Sequence, residues 1–346
     1  MIEEIQKQKL PWDIMFVGRL KTSHMNVTTS EEKAVIEKMN IPFFPIHAGR
    51  VTRFFSLQTL RELCRIPVGF FESVVFCLRK KPDCILSFGG YVGLPMIVAG
   101  WLLGIPTVIH EQTHIFGLSN AIASEFADII LLTFQDEKKQ KDKRVFVTGL
   151  PLRSSFIHPP KEASMPIVVN KPILYITGGT TGAVSMNELI FPIIGTLVEK
   201  YMVIHQTGQQ SYAKALTVLD SIDNKQRTSY LPTPYIEDSD VSWIMHHAHL
   251  IVGRSGANTV AEVSALHIPA VFIPLPWAGR QEQRRNATWY AATGGQVQIV
   301  DQQKTTPDAL LRLIEDMLQM HVKERQQRTV QSAAASVIVQ SIDALV

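Results

Sequence analysis

Short apolar runs bounded by turn residues alternate along this chain with longer segments whose apolar positions recur at helical spacing. Ile14–Val17, Ile85–Phe88, Thr107–His110, Ile129–Leu132, Val145–Thr148, Ile173–Thr177, Met202–Gln206, Leu250–Val252, Ala270–Ile273 and Val297–Val300 read as strands, with helical segments between most of them. Strands that are apolar throughout are buried on both faces. The alternation therefore predicts an α/β protein with doubly wound parallel sheets covered by helices. From Pro151 to Pro172 the pattern fades, and Pro159, Pro160 and Pro166 interrupt it. A boundary there yields two halves, each wound about its own sheet. Ligands of such folds bind at the carboxyl ends of strands, so two facing domains create an inter-domain cleft.

The chain has 346 residues, of which 46% are hydrophobic and 19% charged, as expected of a folded protein of two ordinary domains. A net charge of +3 falls short of the footprint of a nucleic-acid binder. Cys64, Cys77 and Cys84 lack metal-ligand spacing and read as reduced thiols of a cytoplasmic protein. Residues 1–10 are too polar for a secretory signal. Ile85–Ile109 carries no charge and is long enough to span a bilayer, but Gly89, Gly90, Gly93, Pro95, Gly104 and Pro106 divide it. It reads instead as a strand, a helix with Pro95 in its first turn and its end at Gly104, and a second strand. Residues 54–81 interleave Phe54, Phe55, Phe70, Phe71 and Phe76 with Arg53, Arg61, Arg65, Arg79, Lys80 and Lys81. They fit either a core helix or a patch inserting shallowly at an anionic membrane surface, and spacing does not separate the two.

Candidate chemistry concentrates at strand ends. After the strand ending at Gly253, the turn Arg254-Ser255-Gly256-Ala257 opens a helical segment that carries Glu262 in its second turn. Small residues admit a ligand close to the backbone, and the first amides of a helix favour a phosphate. A carboxylate one turn further in repels phosphate but accepts hydrogen bonds from ribose hydroxyls. Ile173–Thr177 is followed by Gly178, Gly179, Thr180, Thr181 and Gly182, which is neither a dinucleotide fingerprint nor a Walker loop. Alone it is as readily a tight turn as a ligand loop; beside the second turn it favours a ligand. His110-Glu111-Gln112 ends another strand, with the Gly89-Gly90-Tyr91 turn beside it, and suits polar binding or acid–base work. Arg153 could reach an anion or a sugar, and Gln283 and Asn286 stand in a polar, basic stretch that also fits a charged surface helix. His246, His247 and His249 lack a matching carboxylate, so no metal site emerges. Gly253–Ala257 misses the serine nucleophile elbow at its last position.

In order, Phe88–Pro95, Trp101–Pro106, His110–Gln112, Gly149–Arg153, Gly178–Ala183, His205-Gln206, Tyr235-Ile236, Arg254–Glu262 and Gln283–Asn286 resemble the MurG family of bacterial N-acetylglucosaminyltransferases. The resemblance runs from about residue 10 to the C-terminus. It implies a GT-B fold, two doubly wound Rossmann-like domains facing an inter-domain cleft. Residues 1–152 would form the acceptor and membrane-associated domain, 153–325 the UDP-sugar donor domain, and 326–346 a C-terminal helix packing back on the first. The implied reaction moves N-acetylglucosamine from UDP-N-acetylglucosamine to an undecaprenyl-pyrophosphoryl-muramoyl-pentapeptide lipid, with inversion and without a cofactor or metal. The implied location is peripheral, at the cytoplasmic face of the cell membrane, through residues 54–81.

Carried over by position, Glu262 would hold the ribose and Ile236 would meet uracil. Ala257, Asn258, Thr259, Val260, Ala261 and Glu262 would line the diphosphate and sugar. Gln283 would bind the donor sugar, Arg153 would contact the donor, and Thr180 replaces a family Ser. Gly89, Gly90 and Tyr91 fall on the acceptor side. Thr113 stands where the family has a donor-contacting Asn. The family opens with a strand and a Gly-Gly-Thr-Gly-Gly-His loop that cradles the acceptor pyrophosphate and supplies a proposed base. Here residues 1–10 read as the helix after that loop and Trp12–Val17 as the second strand. Loss of the loop would remove an anion cradle and open a central strand edge in the first sheet, leaving the chain less stable than its complete relatives. His110 and Glu111 are then the nearest candidate bases. The alternatives are a non-catalytic or partner-dependent UDP-sugar-binding protein and a UDP-sugar epimerase.

Overall fold

In a computed structural model that describes residues 1–19, 31–49, 57–114, 116–135, 141–179, 183–277, 281–321 and 333–346, every strand pairing is parallel. The chain divides into two units, Met1–Leu150 with Ala333–Val346, and Pro151–Ser332.

Among the described residues the first unit holds six strands in two sheets. β1 (Phe16–Gly18) pairs with β2 (Phe43–Pro45), while β3 (Ile85–Ser87), β4 (Thr107–Glu111), β5 (Ile129–Leu132) and β6 (Val145–Val147) follow in chain order. Among the described residues the two sheets share no ladder. The pleat sends Ile109 and Ile130 to one face, where Cys77 of the helix Leu57–Lys80 and Ile97 of the helix Gly90–Leu103 cover them. Val108 and Leu131 point to the other face, against Ile338 and Ile342 of the helix Ala334–Asp343. Each such isoleucine stabilises the unit by roughly 1.5–3 kcal/mol through burial.

Two details depart from the pattern-based expectation. β2 was not anticipated, because Pro42 and Pro45 bracket its short apolar run. The helix after β3 starts at Gly90, so Pro95 lies inside it and not in its first turn. Positive φ at Gly89 (91°) and Gly90 (81°) turns the chain straight from strand into helix. Gly104 ends that helix in the left-handed conformation, as its position predicts.

Residues 51–56 lie outside the described set, as do the side chains of 57–64. In the rest of the helix Leu57–Lys80, Gly69, Ser73 and Cys77 face inward at four-residue spacing. Val68, Phe71, Val75 and Leu78 form an exposed stripe on the other side, with Phe71 66% exposed. No helix among the described residues is long and apolar enough to cross a membrane.

The second unit is built on β7 (Ile173–Thr177), β8 (Met202–Gln206), β9 (Tyr230–Thr233), β10 (Ala248–Gly253), β11 (Ala270–Phe272) and β12 (Val297–Ile299). They are arranged β12-β11-β10-β7-β8-β9. Leu174, Ile176, Val203, Leu250 and Val252 fill one face, and Ile173, Tyr175, Ile204, Ile251 and Phe272 the other. Both faces are buried, which is why these strands read as unbroken apolar runs. β9 escaped notice because it contains Pro232, which an edge strand tolerates. The proline-rich stretch after Pro151 is part of this unit. Phe156 is fully buried, Met165 and Ile167 pack on the same core, and the Ser164 amide and hydroxyl both donate to Asp240 at 2.7 Å.

The chain runs outward from β7 through β8 to β9, then returns so that β10 lies on the other side of β7. The order reverses between β7 and β10, and the fit there is close. A Cβ at Gly253 would stand 2.4 Å from the Thr177 carbonyl oxygen. Gly253→Ala is therefore expected to destabilise the second unit by about 1–3 kcal/mol, through overpacking against backbone that cannot yield. The measurement is the urea midpoint of that unit, and an unchanged midpoint would contradict the close approach.

Candidate functional site

The reversal of strand order places two loops side by side. β7 and β10 end in register at Thr177 and Gly253, and the Arg254 amide donates to the Thr177 carbonyl at 3.2 Å. In sheets of this type a ligand binds outside the carboxyl ends of the strands at such a reversal. Beyond β7, the Gly179 amide donates to the Thr177 hydroxyl at 3.1 Å, and Gly179 has a φ of 85°. Thr180, expected here to meet the donor, lies outside the described residues together with Thr181 and Gly182. The chain resumes into the helix Val184–Ile190.

Beyond β10, Gly256 caps the helix Ala257–Ala265 without a side-chain hydrogen bond. The Val260 amide is the first to find an intrahelical partner, Gly256 at 3.0 Å, so the amides of Ala257, Asn258 and Thr259 project from the helix start. They and the helix dipole make an anion-ready end. Asn258 is exposed and Ala257, Thr259 and Ala261 are half-buried. Val260 is fully buried and packs with Val263 in the core, so its side chain does not line the site.

The turn itself is clamped. Ser255 donates to the Gln283 carbonyl at 2.8 Å, and the Asn286 amide donates to the Ser255 carbonyl at 3.1 Å. The Gln283 side-chain oxygen accepts from the Leu275 amide at 2.9 Å, which fixes its carboxamide and turns the NH2 group elsewhere.

Glu262 is 7% exposed and accepts from Arg153 Nε at 3.1 Å and Nη2 at 2.6 Å. Both bonds end on Oε1. Burial raises the Glu262 carboxyl above the usual carboxylate range, and Arg153 opposes that rise. On Arg153 burial acts downward, but attraction to Glu262 and Asp238 outweighs it and the net shift is upward. Asp238, which also accepts from Arg153, was not anticipated. Its position at the start of the helix Asp238–His247 resembles any acidic first turn. Ile236 is 2% exposed, with its side chain in the core beside Trp243 and Ile244, so only its backbone can meet a base.

The remaining candidates belong to the first unit. His110 is fully buried at the end of β4, and its Nε2 lies 3.0 Å from the Gly149 carbonyl. A carbonyl only accepts, so Nε2 carries the proton and Nδ1 presents a lone pair that meets no partner among the described residues. Burial pulls the imidazole below its ordinary pKa. Glu111 is occupied otherwise. Its oxygens accept from the Thr113 amide (3.0 Å), the Thr113 hydroxyl (2.8 Å), the Gly117 amide (3.1 Å) and the Asn120 side chain (3.0 Å). Thr113 thus spends its hydroxyl on shaping this turn. A Cβ at Gly89 would stand 2.9 Å from the Asn120 amide, and the Tyr91 hydroxyl accepts from Arg19 at 2.9 Å. His246 and His247 turn Nδ1 to carbonyls of their own helix, and no cluster among the described residues has the makings of a metal site.

Two families of sequence match the chain: the glycosyltransferase family 28 N-terminal domain over residues 15–132 and the glycosyltransferase family 28 C-terminal domain over residues 173–342. A Bacillus cereus protein named UDP-N-acetylglucosamine–N-acetylmuramyl-(pentapeptide) pyrophosphoryl-undecaprenol N-acetylglucosamine transferase 2 is 30% identical over 324 residues, 92% of this chain and 86% of that protein. The crystal structure of Acinetobacter baumannii MurG is similar at TM-score 0.71 and 27% identity, covering 99% of this chain and 93% of the other. A putative UDP-N-acetylglucosamine 2-epimerase of Listeria monocytogenes, with TM-score 0.66, 14% identity and coverage of 99% and 91%, shares the fold alone.

The Arg153–Glu262 pair should behave as a coupled unit. Arg153→Met leaves a buried carboxylate beside Asp238 without its cation, an expected loss of about 2 kcal/mol. That is below the range for a fully buried pair because the arginine side chain is 34% exposed. In a double-mutant cycle by chemical denaturation, adding Glu262→Gln should recover most of the loss; simple additivity would show that the pair is not coupled.

Proposed function

Because the chain belongs to the MurG family of glycosyltransferases, we propose that it moves N-acetylglucosamine from UDP-N-acetylglucosamine to an undecaprenyl-pyrophosphoryl-muramoyl-pentapeptide lipid, inverting the anomeric centre. The observation that carries the donor side is the reversal point of the second sheet, where an uncapped helix start and Glu262 share one helix. The Ala257–Thr259 amides face the diphosphate, and the helix dipole stabilises the negative charge that grows on UDP as it leaves. With Oε1 held by Arg153, Glu262 Oε2 is left for a ribose hydroxyl. The Gln283 NH2 group serves the sugar, the Ile236 backbone serves uracil, and Ala261 completes the lining.

In the first unit, Gly89, Gly90 and Tyr91 lie on the acceptor side. The acceptor hydroxyl attacks the anomeric carbon, the bond to UDP breaks, and a base takes the proton. His110 is the better candidate for that base. It is kept neutral by burial and has an unengaged Nδ1, whereas both Glu111 oxygens hold the turn. Thr113 supports this turn and reaches the donor only by releasing Glu111.

The exposed stripe Val68, Phe71, Val75 and Leu78, flanked by exposed Arg65, Arg79, Lys80 and Lys81, suits shallow insertion at an anionic membrane surface. A lipid acceptor makes such a location useful, and the cytoplasmic face is where a UDP-sugar is available.

Transfer of labelled N-acetylglucosamine to the lipid is the direct test. Product is expected, and Glu262→Ala should lower kcat/KM for the donor at least about tenfold. Donor binding without product would favour the non-catalytic alternative, and isomerised sugar would favour an epimerase. For the membrane, the chain should sediment with phosphatidylglycerol vesicles, and Phe71→Ser with Leu78→Ser should release it. Retention by the double variant would remove that stripe from the account.

A further inference from the structure

β8 is apolar until its last two residues, His205 and Gln206, and both are buried, His205 fully and Gln206 at 4% exposure. They stand beside Ile176 and Thr177 of β7, and the pleat sends them to opposite faces of the sheet. Neither has a part in the donor contacts described above. A polar side chain in a core costs stability unless its groups find partners. Both of these find them, and the partners bracket the glycine-rich segment after β7.

On one face Gln206 holds the entry to that segment. Its Oε1 accepts from the Tyr175 hydroxyl at 2.8 Å and the Thr177 hydroxyl at 3.4 Å, and its Nε2 donates to the Gly179 carbonyl at 3.4 Å. The Thr177 hydroxyl accepts in turn from the Gly179 amide at 3.1 Å. Both backbone polar groups of Gly179 are thereby tied, at a φ of 85° that suits glycine alone. On the other face His205 holds the exit. The Tyr230 hydroxyl donates to its Nδ1 at 3.1 Å, and its Nε2 donates to Asn187 Oδ1 at 3.1 Å. The direction is set by Asn187, whose NH2 group donates to the Thr207 carbonyl at 2.8 Å and so leaves its oxygen for His205. Burial pulls the His205 imidazole down to about 3, which keeps it neutral near pH 7 and preserves that direction. Asn187 belongs to the helix Val184–Ile190, and its amide donates to the Ala183 carbonyl at 2.9 Å, where the helix takes over from the glycine-rich segment.

We propose that Gln206 and His205 are positioning residues for the nucleotide-sugar: from one strand end they fix both ends of the glycine-rich segment after β7, Gln206 at Gly179 and His205 through Asn187. A segment fixed at both ends costs less to order around a ligand than one fixed at neither. Interlocked hydrogen bonds of this kind hold one geometry more firmly than apolar packing does. This rests on the donor reading above, and it adds to that reading the residues that hold its loop in place.

The test uses the full chain and three variants: Gln206→Met, Asn187→Leu and, for scale, Leu318→Ala, a truncation of the same core outside these hydrogen bonds. Transfer is measured with UDP-N-acetylglucosamine and the lipid acceptor varied in turn. Gln206→Met and Asn187→Leu should each raise KM for the donor at least about fivefold, while kcat and KM for the acceptor stay within about twofold. Hydrogen exchange of the Gly179 amide should quicken about tenfold in Gln206→Met. Leu318→Ala should lower the melting temperature and leave donor KM where it was. A purely structural pair would leave donor KM unmoved, or moved equally in all three variants. Either pattern, or unchanged exchange at Gly179 in Gln206→Met, would overturn the proposal. If Gln206→Met does not fold, Gln206→Asn, which keeps the carboxamide but is one methylene short of Gly179, carries the same expectation; failure of both to fold would make the pair structural and overturn it too. A parent that neither binds UDP nor transfers the sugar overturns the donor reading, and exchange at Gly179 then still decides whether Gln206 holds the loop.

Discussion

The pairing of β7 with β10 is the constraint on which the second unit depends. Every other ladder in that sheet joins segments consecutive in strand order, whereas this one sets Tyr175 beside Ile251. It admits no side chain at Gly253, because the Thr177 carbonyl occupies that space. Through it the glycine loop and the Arg254-Ser255-Gly256 turn become neighbours. The contacts between these loops follow from that, including the reach of Arg254 to Ser185 and the hold of Gln283 and Asn286 on Ser255.

Two arginines near these loops show opposite electrostatic solutions. Arg153 is half-exposed to water and paired with Glu262 and Asp238, so its charge is balanced inside the protein. Its work is to hold the Glu262 carboxylate in one orientation. Arg254 is buried among neutral groups, and its charge is balanced by nothing the described chain supplies. The first kind of arginine holds a carboxylate in place; the second ties two backbone segments together through neutral acceptors.

Much of the architecture was legible because parallel strands buried on both faces are unbroken apolar runs, and these were found in both units. What was missed has local causes. Pro42, Pro45 and Pro232 disguised two strands, and two glycines of positive φ moved a helix start forward to Gly90. The Pro151–Pro172 stretch read only as a boundary because its buried side chains, Phe156, Met165 and Ile167, follow no period. At the site, turn chemistry and resemblance pointed to segments but could not give the state of each side chain. Ile236 and Val260 are committed to the core, and Glu111 is committed to its own turn. Arg254 stood in plain view within a turn read for its small residues. Its isolation from carboxylates is a tertiary fact that no local pattern contains.

The first unit has a different kind of join. β1 and β2 form a sheet that shares no described ladder with β3–β6, and Val17 meets the larger sheet through side-chain packing. A backbone ladder moves only by whole residues, since a one-residue slip turns every side chain over. A side-chain interface has no such quantum and adjusts by fractions of an ångström. Arg19 is fastened to Tyr91 beyond the carboxyl ends of β1 and β3, and the His47 amide after β2 donates to Glu72 at 2.7 Å, so the described ties gather at the carboxyl end of the small sheet. Its mechanical compliance is therefore continuous, and greatest away from those ties.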